Sequence, residues 1–214
     1  MNAIVTGYRS GIGKAISEKL QENGYNVIKL QSRLENVTSL EKEIKDILKS
    51  NDIHILVNCA GVGIFEPHET ISISTIKKLI DINLTAPIIL TKLLLRSLKK
   101  CKGHIINISS IEATKHSKYS ALYTATKSGL RDFSLSLFEE VRKDGVKVTS
   151  INPDITKTDF FDHLKFKPSE DKEAYLEPEL IAQLVLDILK IDGVVTDLTV
   201  RPQKFKIEKS VPKK

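Results

Sequence analysis

Short apolar runs alternate along this chain with longer segments in which apolar residues recur at helical spacing. The apolar runs are NAIVT, YNVIKL, IHILVN, HIINIS, VKVTSI and VVTDLTV. The helical spacing predicts helices near residues 11–22, 39–50, 72–101, 121–144 and 178–190. Such alternation is typical of a doubly wound parallel sheet, and strands that are apolar throughout are expected where helices cover both faces. We therefore predict a three-layer α/β fold in a single domain over residues 1–202.

The second crossover is too short for the usual pattern. Only the segment SRLENVT, residues 32–38, separates the run YNVIKL from the next predicted helix. A parallel crossover needs a dozen or more residues, so this segment cannot hold a helix and a returning strand. We predict a fold shortened by one strand-helix unit near residues 32–38. If the absent strand is counted as the third, six strands remain in the order 2-1-4-5-6-7, with YNVIKL at or near an exposed edge.

Tyr123 and Lys127 form a Y-x-x-x-K pair inside the predicted helix 121–144. Residues four apart share one face of a helix, so the ammonium of Lys127 can act on the phenol of Tyr123. A nearby cation lowers the pKa of a phenol from about 10, which would suit Tyr123 to give a proton to a developing alkoxide. Tyr25 and Lys29 share this spacing, but in an extended run their side chains stand about 13 Å apart and cannot act together.

Glycines and small polar residues follow the predicted strands. Gly7, Gly11 and Gly13 lie between the first strand and the first helix, where backbone amides can approach a pyrophosphate. The spacing G-x-x-x-G-x-G is a weak signal alone, and turn glycines without a ligand are the alternative. Asn58 and Ser110 follow later strands, at the edge where open α/β sheets bind ligands. Together these positions indicate a dinucleotide site.

With these motifs the chain resembles the short-chain dehydrogenase/reductase family over roughly residues 2–202. The matching segments are TGYRSGIG, NCAG, DINLTAP, INISSIEA, YTATK and INPDITKT. The resemblance implies a Rossmann fold and an oxidoreductase that transfers a hydride between a nicotinamide cofactor and a carbonyl or secondary alcohol. A ketoacyl-carrier-protein reductase and a non-catalytic dinucleotide-binding regulator remain as alternatives.

The resemblance also implies roles for individual residues. Tyr123 would be the general acid, Lys127 would in addition bind the nicotinamide ribose, and Ser110 would donate to the substrate oxygen. Asn83 would anchor a water in a proton relay. The expected cofactor contacts are Thr6, Gly7, Arg9, Ser10, Gly11, Ile12, Gly13, Arg33, Asn58, Ala60, Gly61, Tyr123, Lys127, Pro153, Ile155 and Thr158.

Cofactor choice depends on the end of the second strand, where an acid would bind the ribose 2′-hydroxyl and a base a 2′-phosphate. Gln31 stands where the acid is expected, and no carboxylate is present there. Arg9 and Arg33 could clamp a phosphate, which favours NADP(H) over NAD(H). Solvated surface arginines are the alternative.

Two features concern the last matching segment and the stretch that follows it. Asp154 stands after Asn152-Pro153 where the family usually has glycine, which puts the backbone angles of this loop in doubt. The following stretch, DFFDHLKFKPSEDKEAYLEPE, holds Phe160, Phe161 and Phe166 and is the predicted substrate lid. An ordinary surface excursion is the alternative.

The net charge of +6 lies mostly near the C-terminus, where residues 201–214 hold six Lys or Arg and one Glu. We predict that residues 203–214 form a basic, solubilising or frayed tail, with polyanion binding as the minority reading, and expect no nucleic-acid partner. No apolar run approaches about 18 residues, so we expect a cytoplasmic protein without membrane contact. Dispersed Cys and His residues predict no metal site. The expected partners are a small-molecule substrate and, by family resemblance, further copies in a homodimer or homotetramer.

Overall fold

The computed structural model describes residues 1–210, and six parallel strands form its main sheet. The strands of the described chain are β1 (Asn2–Val5), β2 (Asn26–Ile28), β3 (Ile55–Asn58), β4 (His104–Ile108), β5 (Lys147–Pro153), β6 (Phe166–Pro168), β7 (Asp197–Val200) and β8 (Ile207–Lys209). The main sheet has the order β2-β1-β3-β4-β5-β7, and β6 and β8 form a separate antiparallel pair. The predicted doubly wound parallel sheet is confirmed.

Helices cover both faces of this sheet. They are α1 (Gly11–Glu22), α2 (Val37–Leu48), α3 (Ile73–Ile80), α4 (Ala86–Cys101), α5 (Ala121–Val141) and α6 (Pro178–Lys190). Successive strand residues point to opposite faces. Ala3 and Val5 accordingly join the core beneath α1 and α6, whereas Ile4 joins the core beneath α2, α4 and α5. Two buried faces explain why the strands are apolar throughout.

The predicted loss of one strand-helix unit is confirmed. The chain runs from β2 through residues 29–36 without a strand and enters α2 at Val37. Asn36 caps this helix, because its side-chain oxygen accepts a hydrogen bond from the Ser39 amide at 3.1 Å. Within the main sheet β2 pairs with β1 alone and forms one edge. Crossover length was therefore a sufficient guide to topology.

The long helix predicted near residues 72–101 is confirmed as one continuous helical run from Ile73 to Cys101. A π-helical turn, Asp81–Thr85, lies within this run between α3 and α4. The periodicity of the apolar residues continues through this turn, so the sequence pattern did not show the extra residue. Widened turns of this kind occur often at functional sites, and this one contains Asn83.

The expectation of a frayed tail is wrong for residues 204–210. In the β6–β8 pair, Phe166 stands opposite Lys209 and Pro168 opposite Ile207. The Ser210 amide donates to the carbonyl of Lys165 at 3.0 Å. The stretch predicted as a lid supplies the strand edge that orders these residues, which a local reading of the tail could not show. Residues 211–214 of the predicted tail lie outside the described residues.

His104 makes folding sensitive to acid. Its ring is buried, and Nε2 of the ring lies 2.8 Å from the Thr149 hydroxyl. Burial, aided by the charge of Lys147, lowers the pKa of His104 from 6.5 to about 3. Below pH 6.5 the unfolded chain therefore takes up a proton that the folded protein refuses until about pH 3, so stability falls as the pH falls through this window.

We expect His104→Gln to reduce this loss by up to about 1.4 kcal/mol per pH unit, because glutamine does not titrate. Denaturant unfolding of both proteins between about pH 4 and pH 6.5 would measure the two slopes. Equal slopes in the wild type and the variant would contradict the assignment, whatever the difference in absolute stability.

Candidate active site

A tight turn joins β1 to α1, and its glycines are required by close packing. Gly7 has a φ of +73°, and a Cβ there would lie 3.0 Å from the backbone nitrogen of Ala60. A Cβ on Gly13 would lie 2.3 Å from the carbonyl oxygen of Gly7. The first turn of α1 therefore rests directly on the preceding loop. This leaves a cradle without side chains at the helix N-terminus, which fits a pyrophosphate.

Thr6 ties this turn to the end of β3. Its hydroxyl oxygen accepts hydrogen bonds from the amides of Cys59 and Ala60, each at 3.0 Å. Gly61 follows, and a Cβ there would lie 3.3 Å from Nζ of Lys127 and 3.5 Å from Oδ1 of Asn83. The NCAG segment therefore lies between the glycine turn and the Y-x-x-x-K pair.

Two hydrogen bonds lock α5 onto the end of β4. The Ser109 hydroxyl donates to the carbonyl of Lys127 at 2.7 Å, and Nζ of Lys127 donates to the carbonyl of Ile108 at 2.9 Å. Nζ also lies 5.9 Å from the centroid of the Tyr123 ring. Ser110 lines the same cleft as Tyr123, and its side chain acts on the pKa of the Tyr123 hydroxyl. The structure thus brings Ser110, Tyr123 and Lys127 together.

Burial sets the electrostatics of this group. It raises the pKa of Tyr123, against which the hydrogen bond from Ser110 acts. Burial also lowers the pKa of Lys127 from 10.5 to about 8. The expectation that Lys127 brings the pKa of Tyr123 down is wrong for these side chains, because desolvation disfavours the phenolate more than its neighbours favour it. Desolvation disfavours both the phenolate of Tyr123 and the ammonium of Lys127. The spacing of the motif could not show this effect.

Asn83 is fully buried and its amide is held by one backbone segment. Nδ2 donates to the carbonyl of Val62 at 2.9 Å, and Oδ1 accepts from the amide of Val62 at 2.9 Å. Nδ2 also lies 3.2 Å from the Thr126 hydroxyl of α5. Asn83 thus joins the π-helical turn, the segment after β3 and α5. Its role in a water relay stays a prediction.

A polar network beneath the site was missed in the sequence. Asn58 donates to Oδ1 of Asn107 at 2.8 Å, and Asn107 donates to the Ser134 hydroxyl of α5 at 2.8 Å. Oδ1 of Asn58 is buried and has no hydrogen-bond partner within residues 1–210. An orphaned buried acceptor is costly. Asn58 is not among the residues that line the cleft of the site, so its predicted cofactor contact stays a prediction. The signal was the lone asparagine in the apolar run HIINIS.

A carboxylate does reach the end of β2, but from another element. Glu43 of α2 accepts hydrogen bonds from the amides of Gln31 at 2.7 Å and Ser32 at 2.9 Å. These hydrogen bonds contribute to lowering the pKa of Glu43, against the opposing effect of its partial burial. No carboxylate stands at the end of β2 in the sequence, but the fold brings the carboxylate of Glu43 to this position. The shortened crossover places α2 directly beside the residues after β2.

The arginines predicted to bind phosphate lie on the surface nearby. Tyr8 of the glycine turn donates to the carbonyl of Leu30 at 3.2 Å, which joins this turn to the end of β2. The guanidinium carbon of Arg9 lies 4.8 Å from the centroid of the Tyr8 ring. Arg33 is exposed. The two cations and the Glu43 carboxylate thus lie by the glycine turn and the end of β2, and none of the three lines the cleft of the site.

These elements enclose one cleft with a volume of about 650 Å³. Of the predicted residues, Gly7, Ser10, Gly11, Ile12, Gly13, Ala60, Gly61, Ser110, Tyr123, Lys127, Pro153, Ile155 and Thr158 line it. Thr6 and Asn83 lie behind this lining, where they hold the backbone. Phe160 and Phe166 of the predicted lid also line the cleft, so the lid stretch is a wall of the site.

Asp154 does not need the backbone freedom of the glycine that it replaces. Among non-glycine residues of the described chain, a positive φ occurs only at Lys102 and Tyr119. The carboxylate of Asp154 accepts from the Ile155 amide at 2.9 Å and from Nε of Arg201 at 3.0 Å. Asp154 therefore fastens the loop after β5 to the residue that follows β7.

Comparison with known proteins identifies the family to which this architecture belongs. The family profile described as short chain dehydrogenase matches residues 1–51 and 45–168. The chain belongs to the short-chain dehydrogenase family. It is 30% identical to an uncharacterized oxidoreductase of Staphylococcus aureus (strain MRSA252), across 94% of this chain and 96% of that protein. An uncharacterized oxidoreductase of Staphylococcus epidermidis is 31% identical over the same shares.

Solved structures of this short-chain dehydrogenase fold agree with the architecture. An alcohol dehydrogenase from Thermococcus sibiricus, complexed with 5-hydroxy-NADP, superposes with a TM-score of 0.86 and 26% identity, covering 96% of this chain and 98% of that one. A 4-hydroxyisoleucine dehydrogenase complexed with NADH gives a TM-score of 0.83 at 22% identity, covering 94% and 97%. The second likeness is one of fold alone.

Two features are absent from residues 1–210. No helix within residues 1–210 is both long and apolar enough to cross a membrane. In the same part of the chain, no group of three or more His, Cys, Asp or Glu residues is arranged to hold a metal ion.

Lys127 should weaken folding, because burial holds its pKa near 8. The shift from 10.5 to about 8 corresponds to about 3 kcal/mol against the protonated folded state. This penalty is complete below pH 8 and disappears as the pH rises to 10.5, since the unfolded chain alone stays protonated there. We expect Lys127→Met to raise the free energy of unfolding by about 1–3 kcal/mol at pH 7 while removing turnover.

Chemical denaturation of both proteins from pH 7 to about pH 10 would test this expectation. The advantage of Lys127→Met should shrink as the pH rises above about 8, where Lys127 loses its proton in the folded protein. A variant less stable than the wild type at every pH would show that the hydrogen bond to Ile108 outweighs the cost of burying the ammonium.

Proposed function

We propose that this protein transfers a hydride between NADP(H) and a carbonyl or secondary alcohol. The observation that carries the proposal is the group Ser110, Tyr123 and Lys127, which shares one cleft with the glycine turn. A buried proton donor, beside a cradle for pyrophosphate, is what carbonyl reduction requires. Family membership supports the same class of reaction.

Tyr123, Ser110 and Lys127 each have a different role in this reaction. The nicotinamide group, when bound, supplies the hydride to the carbonyl carbon in reduction and accepts it in oxidation. Tyr123 gives its hydroxyl proton to the carbonyl oxygen as negative charge develops there, and Ser110 donates a hydrogen bond to the same oxygen. Lys127, as the nearby ammonium, stabilises the tyrosinate that is left until the proton is restored.

The cofactor would be held at the glycine turn. The amides at the start of α1 suit the pyrophosphate, and Gly7, Gly11 and Gly13 line the cleft there. A preference for NADP(H) is supported by Arg9 and the exposed Arg33, and by the 5-hydroxy-NADP of the Thermococcus relative. The carboxylate of Glu43 acts against a 2′-phosphate by like-charge repulsion, so it moderates this preference.

The role of Tyr123 is tested by Tyr123→Phe. We expect the variant to fold and to bind cofactor, and to lose about 10²- to 10⁴-fold in kcat, because only the proton donor is removed. Tyr25→Phe is the matched control, since Tyr25 has the same Y-x-x-x-K spacing but packs against the core beneath α1. Tyr123→Phe with most of its activity intact, in a screen of ketones and aldehydes, would refute the assignment.

Cofactor preference is tested by two substitutions with opposite expected signs. Arg33→Ala should lower kcat/KM for NADPH by roughly 10- to 100-fold, since a hydrogen bond to a charged group contributes about 1.5–3 kcal/mol. Glu43→Gln should raise kcat/KM for NADPH severalfold, because it removes a negative charge from the same corner. NADH, which lacks the phosphate, serves as the internal control for both. A wild type that prefers NADH, or variants that shift both cofactors equally, would count against this proposal.

A further inference from the structure

The inner part of the cleft is walled by aromatic rings around the hydroxyl of Tyr123. The centroid of Phe65 lies 5.2 Å from that of Tyr123, and the centroid of Phe160 lies 6.0 Å from it. Phe166 lies 5.1 Å from Phe65, and Phe161 lies 5.3 Å from Phe160 and 5.7 Å from Phe166. These distances are typical of rings in contact. A carbonyl group that reaches Tyr123 therefore has an apolar wall on the side of the lid stretch.

The mouth of the same cleft is also apolar. Tyr119, Phe205 and Ile207 line it, and they are 47%, 61% and 44% exposed. Large apolar side chains scattered singly over a surface need no explanation, but a cluster that rims a cleft indicates a ligand. Tyr119 in addition has a φ of +66°, a strained conformation for a residue with a side chain. Strain of this kind gathers at functional sites.

The C-terminal segment is built into this wall. The β6–β8 pair places Phe166 of the inner wall and Ile207 of the mouth in one small antiparallel sheet. Nζ of Lys115 lies 5.2 Å from the centroid of the Phe205 ring, which holds this ring at the mouth. Apolar side chains therefore line the cleft from Tyr123 to the C-terminal segment.

Two lysines at the mouth are paired with carboxylates. Nζ of Lys115 lies 3.5 Å from Oε1 of Glu112, and Nζ of Lys165 lies 3.1 Å from Oε1 of Glu66. The Nζ of Lys118, which also lines the cleft, lies 4.8 Å from the centroid of the Tyr119 ring. Most of the exposed lining of the cleft is apolar.

We infer that the substrate is a carbonyl compound, or the corresponding alcohol, with an extended apolar body that reaches from Tyr123 to Phe205 and Ile207. This inference rests on the proposed function and names the class of substrate for the same site. Phe205 and Ile207 set the preference for chain length because they add apolar contact only at the outer end of the cleft.

The test is a series of straight-chain methyl ketones of about four to ten carbons, reduced with NADPH, in which each buried methylene should raise kcat/KM by roughly fourfold. Phe205→Ala and Ile207→Ala should flatten this dependence, with the largest losses for the longest ketones. Phe205→Leu should restore much of it. Ile191→Ala is the matched control, because Ile191 is 42% exposed but follows α6 and accepts, through its carbonyl, a hydrogen bond from Lys147 at the start of β5. It should leave the dependence on chain length unchanged.

A binding measurement separates this inference from the proposed function. Calorimetry with Tyr123→Phe, which cannot complete the reaction, should show affinity for the ketones that rises with chain length and falls in the double variant with Phe205→Ala. If no ketone is reduced but this pattern of binding is found, the proposed function is refuted and the apolar binding site is supported. Rates and affinities that are equal along the series, or a chain-length dependence unchanged by Phe205→Ala and Ile207→Ala, would overturn the inference.

Discussion

The site depends on the contact between the start of α5 and the end of β4. The Ser109 hydroxyl holds the carbonyl of Lys127, and Lys127 returns a hydrogen bond to the carbonyl of Ile108. Both acceptors are backbone groups and both donors are buried side chains, so two side-chain-to-backbone hydrogen bonds fix the register between strand and helix. This register sets Tyr123 beside Ser110. The same contact buries an ammonium whose pKa falls to about 8, so the residues that position the chemistry also oppose folding.

The shortened crossover has consequences beyond a missing strand. With no strand-helix unit after β2, α2 comes directly against residues 31 and 32, and Glu43 takes two backbone amides that stand next to the glycine turn. The position of this carboxylate is set by the topology of the fold and not by the place of Glu43 in the sequence. In the proposed binding mode, the charge that the adenosine ribose meets is therefore set by three elements, the glycine turn, the end of β2 and α2.

Much of the fold and part of the site could be read from the sequence, because those features are local or periodic. The apolar strands, the crossover length and the Y-x-x-x-K spacing each predicted their structural outcome. What was missed depends on contacts between distant segments. Glu43 reaches the end of β2 through space, Asn107 joins Asn58 to α5 across two strands, and the raised pKa of Tyr123 follows from burial that no spacing records. The π-helical turn around Asn83 was hidden because apolar periodicity passes through it undisturbed.

The C-terminal segment shows why a basic composition was a poor guide to this end of the chain. Lysines there alternate with residues that face the cleft, as in Phe205 and Ile207 on either side of Lys206. Within β8, Ile207 and Lys209 are two residues apart and share one face of the strand, with Glu208 on the other. Charged residues of this kind discourage edge pairing of a short strand. Apolar wall and charge thus occupy one short segment, which is held in place by the pairing of β8 with β6 of the lid stretch.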